Sequence, residues 1–412
     1  MGSLRRKNLA KILVGLSGGV DSAVATARLQ AAGHEVSGFF MQLESPSRPW
    51  SRPVTSAEPV DALADAHRVA DFLGVELQVW DLAERFNRVV MDSFVQAYRD
   101  GLTPNPCVHC NRFIKFGYVI ERARREGFDY VATGHYARLW RPGQAGLIPV
   151  GVPPTVGEGA FPDFALLRGS AIGKDQSYVL AGARAEALAR AVFPLGDVTD
   201  KAATRAEAEA LGIPVAGKRD SFDICFIPDG DTRGFLRGCI GAALGPIVDE
   251  DGAVVGSHDG AFQYTVGQRR GLHIPRPHQD GAPRYVVGTD AETNTVFVAP
   301  RQALTVTEIQ AGPAVNWLTD PTRLGLGATG EGELDPVGLT IQFRAHGQPV
   351  TPRAVHLESG TDGTKLQVAL PPTAGVTGVA PGQSLVLYQD SSQGDRVIAQ
   401  ATITATDCGL DL

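Results

Sequence analysis

No apolar run in this 412-residue sequence approaches the roughly 20 residues that a membrane-spanning helix requires. A secretory leader is missing too, because the apolar run after Arg5-Arg6-Lys7 is interrupted at once by Gly15, Ser17, Gly18 and Gly19. These absences predict a cytoplasmic protein with no membrane partner. Cysteine is scarce, at positions 107, 110, 225, 239 and 408. An odd count of five argues against a disulfide framework and leaves metal or redox chemistry for the one Cys-x-x-Cys pair. Excess positive charge is lacking as well: 38 Lys and Arg face 45 Asp and Glu, a net charge of −7. The sum argues mildly against a nucleic-acid binder, but local distribution matters more. Residues 302–412 hold 5 basic and 11 acidic side chains, so the preceding part is close to neutral. There, Arg112, Lys115, Arg122, Arg124, Arg125, Lys174, Lys218, Arg219, Arg233, Arg269 and Arg270 can form a basic surface or simply solvated helix faces.

Hydrophobic residues are plentiful at 43%, and 48 glycines and 27 prolines punctuate them. Patterned segments between the breaks predict two or three folded domains with many loops rather than disorder. Residues 11–16 read as a buried strand, and Val20, Ala23, Val24 and Ala27 fall at helical spacing up to Gly33. Val36–Met41 is a second strand, 44–60 a Ser- and Pro-rich loop, and Leu63–Leu73 a helix stopped by Gly74. The third strand is Val75–Trp80, followed by a helix over 84–99, a loop over 101–111, a helix over 112–126 and a strand at Tyr130–Thr133. This alternation predicts an α/β fold with a doubly wound parallel sheet. Residues 141–162 read as a surface insertion without an interpretable motif, and helical patterns resume at 176–192 and 201–211. Beyond about 245, short strands such as Tyr285–Val287, Thr295–Ala299, Leu339–Phe343, Leu366–Ala369 and Ser384–Tyr388 predict a β-barrel or sandwich. The expected units are 1–205, a small central domain over 206–280, and a C-terminal β-barrel over 281–412.

Gly15-Leu16-Ser17-Gly18-Gly19-Val20-Asp21-Ser22 lies between the first strand and helix. Its glycines let backbone N–H groups turn toward a phosphate, the helix N-terminus adds partial positive charge, and Ser17 and Ser22 offer hydroxyls. The Gly-Lys-Ser/Thr ending of a Walker loop is absent, and so is the dinucleotide G-x-G-x-x-G spacing. A glycine turn with a polar helix cap is the simpler alternative. Ser-Gly-Gly-x-Asp-Ser after a first strand resembles the pyrophosphate loop of the AMP-forming ATP pyrophosphatases. That superfamily includes argininosuccinate, GMP, NAD and asparagine synthetases. The resemblance implies ATP as co-substrate with Mg²⁺, Asp21 holding the metal or positioning phosphates, and an adenylated intermediate.

Downstream stand Thr103-Pro104-Asn105-Pro106-Cys107-Val108-His109-Cys110-Asn111-Arg112 with Ile114-Lys115-Phe116, then Ala132-Thr133-Gly134-His135-Tyr136-Ala137-Arg138. Lys174-Asp175-Gln176-Ser177-Tyr178, Asp220-Ser221-Phe222-Asp223-Ile224-Cys225-Phe226-Ile227, Tyr264–Leu272 and Pro381-Gly382-Gln383 follow. In this order, from about residue 11 to 400, the set resembles the tRNA-specific 2-thiouridylases. The resemblance implies a tRNA-uridine 2-sulfurtransferase acting on the wobble uridine (U34) of tRNAs for Lys, Glu and Gln. Partners would be the anticodon arm of tRNA and a sulfur donor such as a cysteine desulfurase or relay protein. By the same resemblance Cys110 is the nucleophile and Cys225 the persulfide carrier, the two ending as a disulfide. Gly15, Leu16, Ser17, Gly18, Gly19, Val20, Asp21, Ser22, Met41 and Gly134 form the ATP site. Asn105, Pro106 and Cys107 meet the target base. His135, Lys174, Asp175, Gln176, Arg344, Ala345 and Gln383 contact tRNA.

A familiar form of the family carries Asp where Cys107 stands. Cys107, Cys110 and Cys225 therefore also allow a [4Fe–4S] cluster with one open iron, and Cys239 a four-cysteine zinc site. Arg112 and Lys115, close to a helix start, are expected to favour the Cys110 thiolate. Cys225 is expected on a mobile segment that swings toward Cys110. Arg344-Ala345-His346-Gly347 lacks the aromatic and basic character usual for its segment. An AMP-forming enzyme for a small molecule, or a non-catalytic RNA-binding metal protein, are the competing classes.

Overall fold

The computed structural model describes residues 9–43, 61–144, 146, 161–218, 224–227, 229–275, 281–361 and 363–407. The basic N-terminal cluster, the 44–60 loop, most of the 141–162 insertion, Arg219, Asp220–Asp223 and Cys408 lie outside these residues.

Strand β1 (Lys11–Gly15) runs into helix α1 (Val20–Ala31), then β2 (Glu35–Gln42), α2 (Ala62–Leu73) and β3 (Leu77–Asp81). Asp61 caps α2 through its carboxylate, which accepts from the Ala64 N–H at 2.9 Å, and Gly74 ends the helix in a left-handed conformation. With β4 (Tyr130–Ala132) and, at the far edge, Ala191–Val192, the strands form one five-stranded sheet with β1 between β2 and β4. Every pairing in it is parallel. Alternation along β1 sends Leu13 to one face, with Phe39, Val131 and the helix residues Val119 and Ala123. Ile12 and Val14 go to the other, with Leu29 of α1. Both faces are thus covered, as a doubly wound sheet requires.

Two local expectations change. The helix expected from 112 begins at Pro106, because the Asn105 side chain accepts from the Cys107 and Val108 N–H groups at 3.0 and 3.4 Å. Segment 176–192 is not one helix but Ser177–Leu180, Ala185–Leu188 and the edge strand Ala191–Val192. A Cβ at Gly182 would lie 2.5 Å from Val108 Cγ1, so the chain here must pass close to the cysteine helix, and its regular winding breaks.

A second, four-stranded sheet contains Gly245–Val248, Val254–His258, Tyr285–Asp290 and Thr295–Ala299. It extends past the boundary expected near 280, because Val296 and Phe297 pair with Ile247 and Val248. The C-terminal strands, from Glu308–Trp317 to Arg396–Thr406, enclose one core that includes Ile309, Leu357, Leu366 and Ile398. Two strands of the first domain, β5 (Ala137–Trp140) and β6 (Ala165–Arg168), flank the insertion and join this third sheet where Leu167 pairs with Arg396.

Ser384–Gln389 shows how the barrel docks. Leu385 and Leu387 enter its own core, while Val386 and Tyr388 enter the core of the first domain. Arg168 fastens this contact. Its guanidinium lies 3.5 Å from the Tyr388 ring centroid and donates to Asp175 (3.2 Å), Asp395 (3.1 Å) and Gln342 (2.7 Å). Removing one member of a buried charged set strands the others. Arg168→Met is expected to lower the unfolding free energy by about 3 kcal/mol in chemical denaturation, whereas Lys365→Met, on an exposed strand face, should change it by less than about 0.5 kcal/mol.

Candidate functional site

The phosphate loop occupies the end of β1 at the point where strand order reverses, the crevice in which open α/β sheets bind ligands. Leu16 and Val20 are buried and anchor it, leaving Ser17 exposed. Gly18 has a φ of +70°, and a Cβ there would lie 2.6 Å from the Ala62 carbonyl oxygen. Gly134 approaches as closely from the end of β4, where a Cβ would meet Asp21 backbone carbon at 2.9 Å. The Ser22 hydroxyl accepts from Ser17 N–H (3.3 Å) and donates to Gly19 O (3.0 Å), fixing the curl. Met41 is half-buried near the same end of β2, paired in register with Trp80.

Two lysines remote in sequence converge on this loop. Lys201 donates to the Asp21 carboxylate at 2.6 Å, and Tyr136 donates its hydroxyl to the same group at 2.7 Å. Lys218 donates to Gly18 O at 3.0 Å and to Asp65, which also pairs with Arg68. Burial acts to raise the Asp65 pKa, but Lys218 and Arg68 outweigh it and hold the carboxyl below its ordinary value. Lys201 was not singled out from the sequence; its position just after the helix cap Asp200 was the one available signal.

The cysteines come together from two elements. Cys107 and Cys110 lie in the first turns of the helix capped by Asn105 and started by buried Pro106. Cys225 lies in Ile224–Ile227, held by buried Ile227 and by Phe226. The Phe226 ring meets Phe86, Phe94 and Phe235 at centroid distances of 5.7, 5.5 and 5.7 Å. The Cys110 thiol senses the charge states of both Cys225 and Cys107, so the three sulfurs share one electrostatic neighbourhood.

The expectation of a ready Cys110 thiolate is corrected. Burial pushes its thiol up to about 12, and Lys115 only partly opposes this. Arg112 is turned away, donating to Gly182 O at 3.4 Å. Cys225 is raised by the protein crowded around it, although its side chain reaches solvent, and Lys115 again acts in the opposite direction. Among the described residues, no group of three or more His, Cys, Asp or Glu side chains is arranged to hold a metal ion. Cys239 lies beside Arg99, which donates to its carbonyl oxygen at 3.1 Å.

The positions expected to contact tRNA divide by exposure. Lys174 and Arg344 are exposed, as are Arg269 and Arg270, whereas Ala345 and Gln383 are half-buried. Asp175 is committed internally: it accepts from Gly169 N–H (2.9 Å), Ser177 N–H (3.0 Å) and the Ser177 hydroxyl (2.7 Å). Gln176 likewise accepts from Tyr136 N–H at 2.9 Å, and Gln383 from Ala380 N–H at 3.3 Å. His135 packs between Phe116 and Phe193, with Nδ1 2.7 Å from the Thr133 hydroxyl. Its burial, aided by Lys115, drives its pKa well below the ordinary imidazole value. Gly382 presses on the segment before the cysteine helix: Thr103 N–H donates to Pro381 O at 2.8 Å.

Aligned with known proteins, the chain is 46% identical over 401 residues to the tRNA-specific 2-thiouridylase MnmA of Beutenbergia cavernae, covering 96% of this chain and 95% of that one. It belongs to the tRNA-specific 2-thiouridylase family. The namesake protein of Salinispora arenicola is 45% identical, covering 96% and 99% of the two chains, and that of Mycolicibacterium gilvum 46%, with the same coverage. Three family models match in succession: tRNA methyl transferase HUP domain over 10–229, tRNA methyl transferase PRC-barrel domain over 233–300, and Aminomethyltransferase beta-barrel domain over 311–403. The three-sheet architecture matches this order, and the second model ends where the second sheet ends.

With the thiol buried in this 2-thiouridylase-family chain, iodoacetamide labelling of Cys110 should still be rising at pH 10 rather than levelling near the ordinary thiol value of 9. Peptide-resolved mass spectrometry of the labelled protein reads this directly, and a plateau near pH 9 would contradict the burial effect.

Proposed function

We propose that this chain uses ATP to adenylate the 2-oxygen of the tRNA wobble uridine and replaces that oxygen with sulfur from a persulfide on Cys225. The observation that carries the reading is a phosphate loop at the sheet crevice together with Cys110 and Cys225 in the one stretch, residues 10–229, that the first family model matches. A pyrophosphate loop alone suits any AMP-forming enzyme; the thiol pair is what a small-molecule ligase has no use for.

The loop N–H groups and the α1 N-terminus would cradle the phosphates. Mg²⁺ would arrive with the nucleotide, and Asp21 is the loop carboxylate nearest to meet it. Attack of the uracil 2-oxygen on the α-phosphorus releases pyrophosphate and makes AMP the leaving group. The terminal sulfur of the Cys225 persulfide then attacks C2 and AMP departs. The Cys110 thiolate attacks the Cys225 sulfur, cleaving the S–S bond and leaving the transferred sulfur on the base. Alternatively, Cys110 first frees sulfide from the persulfide, and sulfide attacks C2. Both routes leave a Cys110–Cys225 disulfide, which an external thiol restores by a two-electron reduction. The substrates would be tRNAs for Lys, Glu and Gln, and the sulfur would come from a cysteine desulfurase or relay protein. Asn105, Pro106 and Cys107 would border the base, with exposed Lys174, Arg269, Arg270 and Arg344 toward the tRNA backbone. The acidic C-terminal domain supplies few such contacts.

The test is nucleoside mass analysis of unmodified tRNA incubated with protein, Mg·ATP, a sulfide source and a thiol reductant. ATP-dependent 2-thiouridine is expected. Cys110→Ser and Cys225→Ser should each fall at least about 100-fold, while Cys107→Asp should stay active. Thiolation by either serine variant at the wild-type rate would overturn the persulfide reading.

A further inference from the structure

The helix Lys201–Ala210 opens on a lysine, set at its first residue by Asp200, whose carboxylate accepts from the Ala203 N–H at 2.8 Å. A cation in that place opposes the partial positive charge of a helix N-terminus. Here it opposes two, because this helix lies beside α1 and runs in the same direction. Lys201 meets Asp21 in the first turn of α1, and Glu207 accepts from Arg28 in its last turn at 2.7 Å. The two N-termini thus lie together at the phosphate loop, and the Lys201 ammonium is placed against both.

A residue set against its local preference needs a compensating contact, and Asp21 provides it. Lys201 Nζ reaches both carboxylate oxygens, at 2.6 and 2.5 Å, and the lysine side chain is only 16% exposed. The Tyr136 hydroxyl donates to the same carboxylate at 2.7 Å and lies 2.9 Å from the hydroxyl of Thr204, on the lysine's helix. Tyr136 and Thr204 are buried, so the pair is built into the structure rather than formed at a solvated surface.

The cap position of α1 is Gly19, and among the described residues no side chain caps the helix. Its first-turn N–H groups have no partner within the helix, and they are the groups that a phosphate takes up. A carboxylate in the first turn is drawn to those same groups, and its charge repels a phosphate that approaches them. Bonded instead to Lys201 and Tyr136, the Asp21 carboxylate is withheld from the cradle and its charge is cancelled.

We propose that Lys201 is a positioning residue for the nucleotide: by holding Asp21 and neutralising it, Lys201 keeps the uncapped N-terminus of α1 open to the phosphates of ATP. The lysine acts through Asp21. This deepens the adenylation step proposed above and rests on the loop being the nucleotide site.

The experiment is a double-mutant cycle on ATP affinity, measured by titration calorimetry of the full-length protein. EDTA is present, so that the phosphates are read without the nucleotide's metal. Lys201→Met should weaken ATP binding about ten-fold, because it frees the Asp21 carboxylate to compete for the α1 N-terminus. Asp21→Ala removes that competitor, so adding Lys201→Met to Asp21→Ala should change affinity by less than about two-fold. Thermal melting checks the fold of each variant, and Lys201→Gln takes the place of Lys201→Met in the cycle if the latter is unfolded. Wild-type affinity in the lysine variant would overturn the proposal. So would a ten-fold loss that persists in the Asp21→Ala background, since the lysine would then act on the phosphates directly. Binding needs neither tRNA nor thiols, so failure of the cycle leaves ATP-dependent thiolation standing. A protein that passes the cycle but never thiolates tRNA removes the sulfur-transfer reading alone.

Discussion

The arrangement depends on one desolvated cation, the Arg168 guanidinium. It is stacked on Tyr388 of the barrel and bonded to Asp175 of the first domain and to Asp395 and Gln342 of the barrel. Asp175 in turn fixes the Ser177 turn, from which Tyr178 reaches Ser384 O at 2.8 Å. Such a cation is costly to bury and is tolerated only when its partners are correctly placed, so it enforces a single docking of barrel on sheet. That docking explains why Ser384–Gln389 is apolar on both faces. Side chains that would face solvent in an isolated barrel are interior to the whole molecule.

From this frame follows the character of the site. The phosphate loop is tied by lysines from later in the chain, Lys201 and Lys218, and Lys218 immediately precedes the stretch leading to Cys225. Nucleotide geometry and sulfur geometry are therefore joined through short covalent and polar links. Burial holds the Cys110 thiol in its protonated form, in which a thiol resists oxidation and stray alkylation.

Much of this was legible in the chain. Strand, glycine loop and helix at residues 11–31 declare themselves because their signals are local: an apolar run, two glycines, and helical spacing. The start of the cysteine helix is equally local, an Asn followed by Pro, but Gly101 and Pro104 just before it make it read as a loop. Other features were not available from sequence at all. The break at Gly182 arises from contact with Val108, and the membership of Thr295–Ala299 in the central sheet comes from pairing with Gly245–Val248. The approach of Lys201 to Asp21 spans 180 positions. The thiol at Cys110 was misjudged for a related reason: neighbouring charges can be read from sequence, whereas burial is a property of the whole fold, and here burial prevails.

The turn Pro381-Gly382-Gln383 sits against Thr103, where even one methyl group on Gly382 would come within 2.8 Å of the Thr103 nitrogen. The segment leading into the cysteine helix is thus braced by the far end of the chain. Loop and thiols all precede residue 230, yet that part alone would lack the contact that Pro381 and Gly382 make with Thr103, just before the helix begins. The setting of that helix is a whole-chain tolerance rather than a property of a detachable module, and a polypeptide cut off before its last strands would carry the loop and the cysteines without this brace.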